Sequence, residues 1–120
     1  MVAAPATAAT RHLLDAEALR ACRPGVHLVN IARGSLIDQA ALKAALDEGR
    51  VARASLDTVD PEPLPEGHWL YSHPRVRLSP HISWSGAATM PRTIELFVEN
   101  LRRFRQGEPL SGVVDPVAGY

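Results

Sequence analysis

One pattern occurs twice in the first half of this chain: Leu13-Leu14-Asp15-Ala16-Glu17-Ala18-Leu19-Arg20-Ala21 and Leu36-Ile37-Asp38-Gln39-Ala40-Ala41-Leu42-Lys43-Ala44. In each copy an apolar residue precedes an aspartate, and a leucine follows it within about one helical turn. The aspartate carboxylate can accept orphan N–H groups of a first helical turn. The flanking apolar residues, Leu14 with Leu19 and Ile37 with Leu42, can close a hydrophobic staple. A glycine lies near the end of each predicted helix, Gly25 and Gly49. Apolar runs at residues 26–31 and 51–56 follow as predicted strands, and a shorter one at 76–79 comes later. Met90, Ile94, Phe97, Val98, Leu101 and Phe104 then recur at helical spacing, with Arg92, Glu95, Glu99, Arg102 and Arg103 on the other face. That predicts an amphipathic helix over 87–106, and Pro91 fits in its first turn. Helices alternating with strands argue for an α/β fold with a parallel sheet.

The 120 residues suffice for one modest core. The 13 Lys+Arg balance the 13 Asp+Glu, so nothing points to a nucleic-acid surface or an acidic interaction tail. The single cysteine, Cys22, is expected on the first helix; alone it makes neither an internal disulfide nor a metal site. A reducing, cytoplasmic compartment is the expectation. No apolar run is long enough to span a bilayer as a helix. The Ala-rich start lacks the basic and continuous apolar regions of a signal peptide, so it reads as a strand end running into a loop. Residues 60–74 hold four prolines and one glycine, which predicts an irregular loop. Loops of that length are often functional.

Candidate chemistry falls just after the strands. Arg33 lies in Asn30-Ile31-Ala32-Arg33-Gly34, Glu62 in Asp57-Thr58-Val59-Asp60-Pro61-Glu62-Pro63, and His81 in Ser79-Pro80-His81-Ile82-Ser83. Ligands of open parallel sheets bind beyond the carboxyl ends of the strands, so these three side chains are expected along one edge. Arginine offers a planar fork that suits a carboxylate, although Arg33 taken alone also reads as a solvated loop residue. Asp57 can accept N–H groups from a ligand amide or cap a nearby loop. Glu62, flanked by prolines that restrict its backbone, is either an aimed carboxylate or an ordinary exposed acid. Histidine exchanges protons near neutrality, and a carboxylate such as Glu62 within reach would fix the His81 ring. His12, His27, His68 and His73 have no comparable context and read as surface or structural residues.

In this order, the Pro5-Ala6-Thr7-Ala8-Ala9-Thr10 opening, the NIARG segment, LDTVDPEP and SPHIS resemble the D-isomer-specific 2-hydroxyacid dehydrogenases over nearly the whole chain. The resemblance implies a partial Rossmann-like parallel sheet with flanking helices that lacks the first βαβ half. Residues 1–85 would form the later half of a dinucleotide-binding domain, and 86–120 a helix and tail that pack against a catalytic domain. Arg33 would bind the substrate carboxylate and polarise the reacting oxygen, His81 would be the general acid/base, and Glu62 would pair with it. Hydride would pass between a D-2-hydroxyacid or 2-ketoacid and NAD or NADP. Asp57 would hold the nicotinamide amide. Ala4, Ile31 and Ala32 would line the cofactor through backbone, and Ser83 and Trp84 would add further cofactor contacts. A homodimer is implied, with no nucleic acid, membrane or metal. The C-terminal-binding-protein corepressors share this resemblance, which leaves a dinucleotide-sensing interaction protein as the alternative, together with a noncatalytic remnant. The chain contains no G-x-G-x-x-G turn for a pyrophosphate.

Overall fold

The computed structural model describes residues 1–119. Two units are separable, Met1–Ile82 and Ser83–Tyr120, and each is described by itself.

Both aspartate signals form helix starts. In α1 (Ala16–Ala21) the Asp15 carboxylate accepts the Ala18 N–H, and in α2 (Gln39–Asp47) Asp38 accepts those of Ala40 and Ala41. The apolar residues before them meet: Leu14 and Ile37 form a parallel bridge, with the Leu14 N–H donating to Leu36 and the Asp38 N–H to Leu14. The repeated sequence therefore becomes two helix starts laid side by side. Cys22 is not within α1 as expected but caps its C-terminus, where its N–H still donates to Ala18 while its backbone turns extended. Gly49 follows α2 at φ 76°, a left-handed conformation that only glycine adopts without strain.

Three parallel strands, β1 (Val26–Asn30), β2 (Val51–Leu56) and β3 (Val76–Leu78), lie in the order β1-β2-β3. The chain start does run as a strand end: Val2 forms a parallel bridge with Asn30 on the free side of β1. The register aligns Asn30 with Leu56 and Leu56 with Leu78, so all three strands finish at one level. Leu28, Ala54, Leu56 and Val76 are buried, and the core continues through Leu19, Leu36, Leu42, Leu46 and Leu70. The alternate positions His27, Arg53 and Arg77 are exposed. Period-two alternation places these polar residues opposite the core.

Residues 60–74 are more ordered than an irregular loop. They include a 3-10 turn, Trp69–Tyr71, with Leu64 and Leu70 buried and the Tyr71 hydroxyl donating to the Leu64 carbonyl at 3.2 Å. His68 and His73 are structural: each accepts a backbone N–H at Nδ1, from Leu70 and Arg75 respectively.

The second unit is dominated by α3 (Thr89–Gln106), which ends on Gly107 at φ 70°. Pro91 occupies its first turn, as the missing N–H requires. Met90, Ile94, Phe97 and Phe104 are exposed on it. Among the described residues no helix is long and apolar enough to cross a membrane.

Candidate active site

Because the strands end in register, the segments carrying Arg33, Glu62 and His81 leave the sheet from the same edge. The ladder continues one step beyond the strands, through the Asp57 N–H to Asn30 (2.9 Å) and the Ser79 N–H to Leu56 (3.0 Å).

Asn30 organises the first segment. It is fully buried. Its Nδ2 donates to the Arg33 carbonyl at 2.8 Å and its Oδ1 accepts the Ala32 N–H at 3.0 Å. This clasp turns Ile31–Arg33 outward and leaves Arg33 exposed, its Nη1 donating to the Ala32 carbonyl at 2.7 Å. Sequence reasoning missed Asn30 as a site residue. The available signal was a polar amide closing an otherwise apolar strand.

Asp57 organises the third segment. Its carboxylate, only 5% exposed, accepts the Ser79 hydroxyl at 2.5 Å and the Ile82 N–H at 3.0 Å through Oδ1. Loop capping, one of the two roles open to it, is therefore realised, and Ser79 joins the site as its anchor. Between these two contacts the chain carries His81 at φ 54°. For a residue with a Cβ that conformation costs about 1–2 kcal/mol. Strain of this kind persists where surrounding contacts over-determine the backbone.

Glu62 reaches this turn from the second segment: His81 Nδ1 lies 2.9 Å from Glu62 Oε1, with both side chains a little over one third exposed. An ionised carboxylate only accepts, so opposite an ionised Glu62 the ring donates from Nδ1. Asp57, Glu62 and Ser79 also border an open cleft of about 410 Å³, walled by Leu64, Tyr71 and Leu78. Ala4 and Ala32 are half-buried, and Ile31 is 40% exposed, an apolar side chain left at the strand end. Ser83 and Trp84 begin the second unit, where the Trp84 carbonyl accepts the Thr89 hydroxyl at 2.7 Å.

Residues 1–83 match the family described as D-isomer specific 2-hydroxyacid dehydrogenase, NAD binding domain. Glyoxylate/hydroxypyruvate reductase A of Photorhabdus laumondii is 39% identical over 117 residues, covering 97% of this chain and 36% of the reductase. A D-isomer specific 2-hydroxyacid dehydrogenase from Xanthobacter autotrophicus Py2, solved in complex with NADPH and MES, superposes with a TM-score of 0.86 at 42% identity. That match covers 98% of this chain and 48% of the other. An NADPH-dependent glyoxylate/hydroxypyruvate reductase from Sinorhizobium meliloti, solved with NADP and sulfate, gives a TM-score of 0.82 at 30% identity. It covers 98% of this chain and 38% of that protein. The chain thus spans little more than a third of the curated reductase it matches.

Proposed function

The chain belongs to the D-isomer specific 2-hydroxyacid dehydrogenases, as part of their NAD(P)-binding domain, and from that premise we propose that it carries the acid–base and nicotinamide-facing residues of a 2-ketoacid reductase site. The observation that carries this reading is the His81–Glu62 pair, 2.9 Å apart, on the carboxyl edge of the parallel sheet.

The residues present suit the nicotinamide end of a dinucleotide. A nearly buried Asp57 carboxylate is suited to accept a carboxamide N–H, and Ile31 with Ala4 and Ala32 offers apolar surface at the end of the neighbouring strand. No glycine-rich turn accompanies them, so the pyrophosphate is not held by a G-x-G-x-x-G motif within this sequence. The cofactor, when bound, supplies the hydride donor or acceptor.

The chain's own residues would do the rest. Arg33 presents a fork to the substrate carboxylate, fixing the orientation of the reacting carbon. His81, with Nδ1 committed to Glu62, would give a proton from Nε2 to the ketone oxygen during reduction and take one from the hydroxyl during oxidation. Glu62 would hold the ring and keep the tautomer fixed through the cycle. Glyoxylate and hydroxypyruvate are the proposed substrates, supported by the match to relatives named as glyoxylate/hydroxypyruvate reductases.

The test is a reductase assay with glyoxylate and hydroxypyruvate, using NADH and NADPH in parallel, on the chain joined to the part of a 2-hydroxyacid dehydrogenase that it does not span, and on the His81→Gln variant of that protein, since the chain alone is expected to be poorly active or inactive. The reading predicts ketoacid-dependent cofactor oxidation that falls by about two to four decades in the variant. Equal rates in both would remove His81 from the acid–base role.

A further inference from the structure

Two contacts from the Arg33 stretch fall on successive peptide units of the Glu62 loop, Val59–Asp60 and Asp60–Pro61. Gly34 presses against the first: a Cβ added at Gly34 would lie 2.0 Å from the Val59 carbonyl carbon, 2.2 Å from its oxygen and 2.5 Å from the Asp60 nitrogen. Gln39, the first residue of α2, donates from Nε2 to the Asp60 carbonyl. Its Oε1 is buried with no partner among the described residues. An amide that leaves one polar atom unsatisfied gives up free energy, so the side chain is not there for its own hydrogen-bonding optimum. Gly34 and Gln39 belong to the stretch that begins at Arg33, whereas Asp60 stands two residues before Glu62. The third contact nearby, Arg11 Nη1 to Asp60 Oδ2 at 3.7 Å, is long and solvent-exposed, and such pairs hold little.

We propose that Gln39 is a positioning residue for the Glu62–His81 pair, acting through the Asp60 backbone carbonyl. It ties the Glu62 loop to the start of α2, with Gly34 as the seat against which that loop is drawn. Removing the amide frees the loop to swing Glu62 away from Nδ1 of His81. The proposal rests on the reading of that pair as the acid–base device, and it extends the site to a helix start that touches no reacting atom.

Ring nitrogens give a readout that a purely structural role would not move. At about pH 9, above the ordinary histidine range, the 15N shifts of neutral His81 in the intact chain should report the Nδ1–H tautomer. A free histidine side chain favours the other tautomer, Nε2–H. Glu62→Gln, which removes the carboxylate, sets the size of the change expected when the pair is lost. Gln39→Leu should lose the Nδ1–H signature to a comparable extent, while the ring shifts of His27, His68 and His73 stay in place. Gln39→Asn, with its amide on a stem one methylene shorter, reads the same effect without introducing an apolar group. Retention of the wild-type His81 tautomer in folded Gln39 variants overturns the proposal, whatever their melting temperatures. Absence of the Nδ1–H signature in the wild-type chain overturns the pair itself, and the role of Gln39 falls with it.

Discussion

His81 Nδ1 lies 2.9 Å from Glu62 Oε1, although the two residues sit 19 apart in sequence and on different loops. The contact exists because β2 and β3 end at the same level and because Asp57 clamps the His81 turn from both sides, at Ser79 and at Ile82. The acid–base pair is thus an outcome of strand register and of one nearly buried carboxylate.

Among the glycines, Gly34 is the least open to substitution. Gly34→Ala would drive a methyl group into the Val59–Asp60 backbone, which cannot move aside as a flexible side chain can. The expected loss is about 3 kcal/mol or more, read as a lower midpoint in urea denaturation.

Asn30→Ala should be nearly as damaging. It removes the acceptor of the Ala32 N–H and the donor to the Arg33 carbonyl at a fully buried position. The expected cost is about 2–4 kcal/mol, from the lost bonds and the groups left unsatisfied, with the same denaturation measurement as the check.

Thr58→Val should act in the opposite direction. The Thr58 side chain is 1% exposed and its hydroxyl has no partner among the described residues. Exchange for an isostere without the hydroxyl is expected to be neutral or to stabilise by about 1 kcal/mol, giving an unchanged or higher thermal midpoint.

Hydrogen bonds from Lys43 first, then His73, hold the Asp47 carboxyl below its ordinary value. A carboxyl with a folded value below its unfolded one stabilises the fold fully above the unfolded value, about 3.9. That contribution is lost as the pH falls through the folded value. The thermal midpoint of the wild-type chain should therefore drop more steeply on acidification below about pH 4 than that of Asp47→Asn. Because Asp47 is exposed, the difference is expected to be small, and parallel curves would exclude it.

Much of this architecture is legible in local chemistry. Asp15 and Asp38 mark helix starts, because a carboxylate that accepts first-turn N–H groups acts over a few residues. β2 runs over Val51–Leu56 as expected, and β1 and β3 each stop one residue earlier than their apolar runs. The Arg33, Glu62 and His81 segments were recognisable by their place after strands and by family motifs. What stayed hidden depends on distant partners. Asn30 reads as a strand end until its amide is seen clasping the next turn, and Gln39 reads as a helix residue until Asp60 arrives from another loop. The left-handed backbone of His81 has no local signature, since it is imposed by Asp57.

The most direct test of the account is a titration of the 15N-labelled chain with NADPH and NADH, followed at the backbone amides. The account predicts saturable shifts at Ile31, Ala32, Asp57 and His81–Ile82, with Asp57→Asn weakening them. A folded chain whose amides at these positions do not respond to either cofactor would contradict the assignment of this sheet edge as a nicotinamide-facing site.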